Sequence, residues 1–546
     1  MDNFLMLVNF LGGLGLFIFG ITLMADGLQR STGEKMKSLL KLLTSNRFIA
    51  VLVGAAVTAI IQSSSATTVM VVGFVNAGII NLSQSVGVIM GANIGTTITA
   101  WIASLGDWMT LFKPTTIAPI FVAVGVLIHV AGKKKKTKTL GSVLLGFGIL
   151  FIGMDAMSDA LKPLRENEMF RELFITLGTN PILGILAGAF VTAMVQSSSA
   201  SMGILLALVS VGLIPTSAAV YIILGQNIGT CITALLSSMG ASKNAKAAAY
   251  IHLLFNVIGS VIFAIGAVIF FSIPANQDLA NSIISQSTVA IFHTTFNIVN
   301  TIMLFPFANL LIKIAKKMAK IDDNVIEVKP ELHLDDRALV TPAFAVETVF
   351  DEINKLFVDT YENYKITIKA LLDHDDSHFD EIKDNEDRIN RKTDTLSKYL
   401  VKLMKLNLSN VESEKVAMYF NSITDIERIG DHVENLAEFL QIMVTKDIHF
   451  SKEAIVEITH IFDITESAIT TSMNAFKNND KEEAIRTIHI EEEVDLLESQ
   501  LRSNHMKRLQ KNVCETETGV IFLDMIQNLE RISDHTNNIS GYILKD

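Results

Sequence analysis

Two polar runs break otherwise apolar stretches at matched places: Gln62-Ser63-Ser64-Ser65-Ala66 and Gln196-Ser197-Ser198-Ser199-Ala200. A second pair follows, Asn93-Ile94-Gly95-Thr96 and Asn227-Ile228-Gly229-Thr230. The offset is constant, 196 − 62 = 134 and 227 − 93 = 134. No Asp, Glu, Lys or Arg lies between Leu173 and Ser242, and between Phe48 and Val130 only Asp107 and Lys113 appear. These runs therefore offer hydroxyls, amides and backbone groups without fixed charge. A ligand held by such groups is small and rich in oxygen. Interrupted helices direct unpaired N–H groups and positive dipole ends at an anion. Free carbonyls and Ser, Thr and Asn oxygens suit a hard cation such as sodium. A divalent anion in a low-dielectric cavity without Arg or Lys is under-compensated, because Coulomb terms grow there. Co-bound cations would supply the missing charge and couple the two bindings.

Small residues also let membrane helices pack closely, but a matched pair of Gln-Ser-Ser-Ser runs favours binding. For Asn-Ile-Gly-Thr the alternative to a ligand role is a helix kink at the glycine. A smaller echo, His252 with Asn256 and His293 with Asn297, puts each pair on one helix face. Lining a pathway is one reading; polar bonds across helices is the favoured one.

The elements that position these residues are read from hydropathy and charge. The chain has 546 residues, half of them hydrophobic, and a net charge of −11 that lies mostly beyond Lys313. A membrane half followed by a soluble half is implied. The balance is a poor match for nucleic acid. The two cysteines, Cys231 and Cys514, form no framework. The first apolar stretch lacks a basic leader and reads as a membrane helix rather than a signal peptide.

Candidate spans are 4–27, 82–106, 114–131, 139–161, 217–238, 247–271 and 289–312. The stretches 48–80 and 182–214, broken by the Gln-Ser-Ser-Ser runs, read as re-entrant hairpins. The clusters Arg30, Lys35, Lys37, Lys41 and Arg47, then Lys133 to Lys136, then Lys313, Lys316, Lys317 and Lys320 should face the cytoplasm. An N-terminus outside satisfies all of them. Three crossings in the first unit then make the second enter inverted. Gly20, Met24, Asp26 and Leu28 reappear as Gly153, Met157, Asp159 and Leu161, so the duplication reaches the first helix of each unit. Both aspartates sit at helix ends and read as interfacial. The expected class is all-α: a polytopic membrane protein of two inverted repeats with re-entrant hairpins, followed by a soluble pair of three-helix bundles. The divisions are repeat 1 over 1–132, repeat 2 over 139–271, a final span over 289–312, a linker over 321–341 and a bundle domain over 342–546. Inverted repeats with broken helices are the architecture of secondary transporters.

The bundle domain is doubled too. Glu427 and Asp431 recur as Glu530 and Asp534, 530 − 427 = 103, four residues apart and so on one helix face. They can ligate metal if Glu491 and Asp495 come near; the alternative is a face salt-bridged by Arg428 and Arg531.

The paired Gln-Ser-Ser-Ser-Ala and Asn-Ile-Gly-Thr motifs resemble the type II sodium-phosphate cotransporter family, over roughly residues 4 to 312. The resemblance implies phosphate at Gln62, Ser63, Ser64, Ser65, Gln196, Ser197, Ser198 and Ser199. It implies sodium, as coupling ion, at Thr67, Thr68, Asn93, Thr96, Ser201, Asn227 and Thr230. Met202 and Cys231 replace the first copy's Thr68 and Thr97, which leaves the stoichiometry open. The Glu-x-x-x-Asp motifs resemble the PhoU family, which implies a divalent metal or iron at Glu427, Asp431, Glu491, Asp495, Glu530 and Asp534. In the first copy the counterparts of Glu491 and Asp495 are Glu386 and Asn390. No P-loop or catalytic motif appears, so no enzyme is expected. The expectation is sodium-coupled phosphate transport in the inner membrane, with a lipid bilayer as surroundings, a cytoplasmic regulatory domain, no nucleic-acid partner and homo-oligomerisation open. The alternatives are outward transport, a phosphate sensor without net flux, or a carrier of another oxyanion such as sulfate.

Overall fold

The computed structural model describes residues 2–41, 46–105, 114–321, 331–406, 408–511 and 515–545. Asp107, Lys113 and Cys514 lie outside the described residues, as do positions 322–330 of the expected linker. Among the described residues every regular element is helical, apart from one isolated bridge between Pro215 and Ile283. The chain forms two units. One comprises Met1–Pro330 with Asp335–Thr341, the other Glu331–Leu334 with Pro342–Asp546.

In the first unit, repeat 1 consists of α1 (Asp2–Lys41), α2 (Arg47–Ile61), α3 (Ser64–Asn76), α4 (Leu82–Ala103) and α5 (Pro114–Ala131). Repeat 2 consists of α6 (Lys135–Leu161), α7 (Glu168–Thr179), α8 (Pro181–Val195), α9 (Ser198–Ser210), α10 (Thr216–Ser237) and α11 (Lys243–Ser272). Then follow α12 (Gln277–Asn281), α13 (Gln286–Leu304) and α14 (Ala308–Met318). The helices α1, α4, α6, α10, α11 and the run through α13 and α14 are long and apolar enough to span a bilayer. The paired short helices α2–α3 and α8–α9 are hairpins, each broken at its Gln-Ser step.

Glycines set how closely each hairpin meets its neighbouring long helix. Carbonyls of α2 lie where a side chain on α4 would be: an ideal Cβ on Gly91 would stand 1.9 Å from Val51 O, and one on Gly95 2.4 Å from Ala55 O. Repeat 2 copies this, with Gly225 against Ile185 O at 2.0 Å and Gly229 against Ala189 O at 2.4 Å. The glycine of Asn-Ile-Gly-Thr is therefore a point of backbone contact. It is no kink, because α4 and α10 run unbroken through it.

The contacts also separate two ends. Arg47 Nη2, where α2 starts, donates to Ser83 Oγ (2.7 Å) and Asn309 Oδ1 (2.8 Å). Asn76, where α3 returns, accepts from Ser242 N just beyond α10 (2.8 Å). At the opposite end of α10, Thr216 N donates to Ser282 O (2.9 Å), and Gly178, beside the start of α8, packs on Ser217. The two hairpins thus enter from opposite ends, which is the inverted repeat in three dimensions.

Where the sequence reads as a linker, residues 335–341 fold back onto this unit. Asp335 is 9% exposed; its carboxylate accepts from Asn76 Nδ2 (2.5 Å) and Arg337 N (2.8 Å). Arg337 Nε donates to Ser237 O at the end of α10 (2.8 Å).

The second unit comprises α15 (Pro342–Asp373), α16 (Phe379–Met404), α17 (Asn410–Thr445), α18 (Lys452–Asn478), α19 (Lys481–Gln510) and α20 (Thr516–Leu544). Apolar residues at three- and four-residue spacing, such as Ile382, Ile389, Leu396, Leu400 and Leu403 on α16, give each helix one buried stripe. Reciprocal polar pairs join the two copies: His535 Nδ1 with Asp425 Oδ1 and His432 Nδ1 with Asn528 Oδ1, both at 2.8 Å. These pairs obey the 103-residue offset, since 535 − 432 = 103 and 528 − 425 = 103.

Candidate binding site between the two hairpin tips

Each hairpin turns by the same device. Helix α2 ends at Ile61, Gln62 takes a left-handed conformation (φ 56°), and Ser63 is extended. Ser63 Oγ then accepts from Ala66 N at 3.1 Å and caps α3. In the second hairpin Gln196 has φ 53°, and Ser197 Oγ accepts from Ala200 N at 3.2 Å. A glutamine at positive φ is uncommon and costs backbone energy. The capping leaves the N–H groups of Ser64 and Ser65, and of Ser198 and Ser199, in the first turns of α3 and α9, where helix geometry gives them no partner.

The tips meet. Ser64 Oγ lies 3.2 Å from Ser198 Oγ, and Ser199 Oγ donates to Gln62 O at 3.2 Å. Thr99 Oγ1 donates to Gln62 Oε1 at 3.1 Å. Beside this contact a cavity of about 10 Å³ is lined by Ser64, Asn93, Thr96, Ser198, Gln226 and Asn227, with Met202, Thr230 and His293 completing it. That is room for one water molecule.

Each lining threonine and amide directs one hydrogen at a backbone carbonyl. Asn93 Nδ2 donates to Ile89 O (2.8 Å) and Asn227 Nδ2 to Ile223 O (2.9 Å). Thr96 Oγ1 donates to Ala92 O and Thr230 Oγ1 to Gln226 O, both at 2.9 Å. Gln226 Nε2 donates to Ser201 O at 3.0 Å. These groups offer a ligand oxygen lone pairs beside the second N–H of each amide, whereas the hairpin N-termini offer donors alone. One wall suits a cation and the adjoining tips suit an anion.

In the second unit the two carboxylate groups differ. Carboxylate oxygens of Glu491, Asp495 and Asp534 all lie within 4.8 Å of one another. Burial, with like charge from Asp534, holds the Asp495 and Glu530 carboxyls above their usual range. Such an all-oxygen, high-charge set fits a hard cation. In the first copy Arg428 sits on the motif, with Nη1 2.9 Å from Asp431 Oδ2 and Nε 3.9 Å from Glu427 Oε2. Glu386 there is 1% exposed and packed on Gly430, and both its oxygens lack a hydrogen-bond partner among the described residues. Burial first, then Asp431, Glu434, Glu427 and Asp387, push its carboxyl up to about 8. A folded pKa above the ordinary carboxylate value contributes stability below the unfolded pKa, and this is lost as pH rises through about 8. Glu386→Gln should therefore leave the melting of the full chain unchanged at pH 5. At pH 8, in chelator, it should raise the bundle transition by about 4 °C or more; equal shifts at both pH values would refute this.

Comparison with known proteins fits both units. A Na+/Pi-cotransporter family model matches residues 16–159 and again 151–284, and a PhoU domain model matches 353–440 and 458–543. The YqeW protein of Bacillus subtilis, itself uncharacterized, is 30% identical over 312 residues, 57% of this chain and 97% of that one. The chain belongs to the Na+/Pi-cotransporter family. The YjbB protein of Salmonella typhimurium, named provisionally for inorganic phosphate export, is 25% identical over 99% of this chain and 98% of its own. The rat sodium-dependent phosphate transport protein 2A is 31% identical over 189 residues, 33% of this chain and 29% of that one.

Within this Na+/Pi-cotransporter chain the sequence-derived residues separate into two groups. Ser64, Ser198, Asn93, Thr96, Asn227 and Thr230 line the cavity. Ser63 and Ser197 are caps, and Gln62 and Ser199 clasp one tip to the other. Ser65 stands in the first turn of α3 outside the lining, and Gln196 is exposed. Thr67, Thr68 and Ser201 are buried in the hairpins themselves: Thr58 Oγ1 donates to Thr67 Oγ1 (3.0 Å) and Thr192 Oγ1 to Ser201 Oγ (2.8 Å), while Thr68 Oγ1 donates to Ser65 O (3.2 Å).

Three lining residues were not assigned to the site from sequence: Gln226, His293 and Met202, the last noted only as the replacement of Thr68. Gln226 directly precedes the second Asn-Ile-Gly-Thr, a position that carried no signal by itself. His293 had its signal in the His/Asn echo, where bonds across helices were favoured. The first pair does bond across helices, with Asn256 Nδ2 donating to Cys231 Sγ on α10 (3.4 Å), whereas in the second Asn297 Nδ2 turns back to His293 O (2.9 Å) and His293 Nδ1 has no partner among the described residues.

Proposed function

We propose that the chain moves inorganic phosphate across the membrane together with sodium, and that its PhoU-like bundles regulate this movement. The observation that carries the reading is the division of one uncharged site into donors at the hairpin tips and acceptors on α4 and α10. Phosphate bound at the tips adds negative charge where no Lys or Arg can offset it. Sodium on the acceptor wall offsets it, so each ligand favours the other. In this conformation the site has room for a water, so phosphate entry parts Ser64 from Ser198. Gln62, Ser65, Gln196 and Ser199 adjoin that opening.

The basic clusters put the N-terminus outside and the bundles in the cytoplasm. Exposed apolar side chains such as Phe190 and Ile302 contact lipid. In the bundles, Glu491, Asp495 and Asp534, with Glu530 beside them, hold a divalent cation or iron; Arg428 occupies the corresponding first-copy motif at Glu427 and Asp431. A second reading, outward movement of phosphate in the cell, is favoured by the YjbB relative, which matches across both units.

Radiolabelled phosphate uptake into proteoliposomes, under an inward sodium gradient and an equal choline gradient, tests the reading. Accumulation with sodium alone, uncompeted by sulfate, is expected. Phosphate binding in detergent with no accumulation under either gradient would replace it with a membrane sensor.

A further inference from the structure

The repeats differ at the head of the Asn-Ile-Gly-Thr motif. Repeat 2 has Gln226 where repeat 1, at 226 − 134 = 92, has Ala92. Gln226 is 5% exposed and lines the cavity. Its amide orientation is fixed by chemistry: Ser201 O can only accept, so the group facing it at 3.0 Å must be Nε2. Oε1 is left buried and without a partner among the described residues. A buried acceptor with no donor is costly and is met by a water or an ion.

The neighbours say which ligand. The hydroxyl hydrogens of Thr96 and Thr230 and the amide nitrogens of Asn93 and Asn227 are directed at backbone carbonyls. Hydroxyl and amide oxygens, with Met202 and His293 the lining residues that lack them, surround a space the size of one water, which matches a dehydrated monovalent cation. Repeat 2 has also exchanged the Thr68 hydroxyl for Met202, so Gln226 returns the oxygen lost there.

We propose that Gln226 Oε1 is a sodium ligand of a site that belongs to repeat 2 alone, shared with oxygens of Asn227 and Thr230. This rests on the sodium-coupled reading above and deepens it: the two repeats do not bind sodium equivalently.

Binding of radioactive sodium to the purified full-length protein in detergent, without phosphate, tests the assignment. Gln226→Met keeps the size but removes the oxygen; Gln226→Glu keeps an acceptor oxygen. Both lose the bond to Ser201, so their difference separates a residue with an acceptor oxygen, here a charged one, from a residue with none. Gln226→Met should weaken sodium binding about 10-fold or more, in the range found when a metal's supporting groups are removed, while Gln226→Glu retains it. Wild-type sodium affinity in Gln226→Met would overturn the proposal. So would equal weakening in both variants, which would make Gln226 a structural tie to Ser201. A wild-type protein that binds no sodium either without phosphate or with saturating phosphate overturns the coupling itself, a failure read from the wild-type arm alone.

Discussion

Alanine at Gly91 or Gly225 is expected to abolish phosphate uptake and to lower the melting temperature of the detergent-purified chain. The added Cβ would stand 1.9 Å from Val51 O or 2.0 Å from Ile185 O, distances no real Cβ contact tolerates. The obstacle is backbone, so no side-chain rotamer relieves it. The hairpin helix must move away from α4 or α10 by more than an ångström. Overpacking of this kind costs about 1–3 kcal/mol. The functional cost is larger, because α2 and α8 end at Gln62 and Gln196, which set the capped N-termini of α3 and α9. A displacement of about 1 Å at such a site costs on the order of 100-fold. Gly15 and Gly266, with nothing near an added Cβ, serve as controls whose alanine variants should behave as wild type. Full uptake by Gly91→Ala would show that the hairpin is not held by this approach.

That contrast marks how far the sequence could be read. Repeated motifs at a fixed offset reveal duplication without any structure, and charge-free apolar lengths reveal where helices cross. The break inside 48–80 was legible because a Gln-Ser-Ser-Ser run cannot continue an apolar span unremarked. What the glycines touch was not legible. Gly95 and Gly229 read equally as kinks until the carbonyls of Ala55 and Ala189 are placed against them. The roles within the Gln-Ser-Ser-Ser run were also hidden, since a cap, a clasp and a ligand are all served by serine. Gln226 went unassigned because an orphan acceptor is defined by its surroundings. In the bundles, two Glu-x-x-x-Asp motifs of one pattern diverge through neighbours elsewhere in the chain: Glu491 and Asp495 complete one, while Arg428 covers the other. Residues 335–341 resemble a linker in composition, and only the partners Asn76 and Ser237 show that they pack.

Alanine at Gln196 should lower uptake by the same order as alanine at Gln62, about 100-fold, although only Gln62 is engaged in this conformation. Both tips share one backbone shape, with φ of 56° and 53°. Their surroundings differ. Gln62 is 6% exposed and accepts from Thr99 at its side chain and from Ser199 at its carbonyl, whereas Gln196 is exposed. The counterpart of Thr99 is Thr233, 99 + 134 = 233, and its hydroxyl turns to its own helix at Thr230 O (3.0 Å). In inverted-repeat transporters the opposite-facing state arises when one repeat or bundle moves against the other around the site. If the repeats exchange their arrangements in that step, Thr233 and Ser65 clasp Gln196 while Gln62 is released. Losing a clasp leaves buried partners unpaired at about 1–3 kcal/mol, which is roughly a 5- to 150-fold shift in the balance of the two states. Thr99→Val and Thr233→Val should then move that balance in opposite directions. A cysteine at position 196, in a chain carrying Cys231→Thr and Cys514→Ser, reads it by its reaction with a water-soluble maleimide. Thr99→Val should slow labelling, whereas Thr233→Val should leave it unchanged in this reporter, because the cysteine has already removed the amide that Thr233 would clasp. Wild-type uptake by Gln196→Ala, or the same labelling change from both threonine variants, would mean that the asymmetry of the tips is a fixed feature of the fold and no snapshot of an exchange.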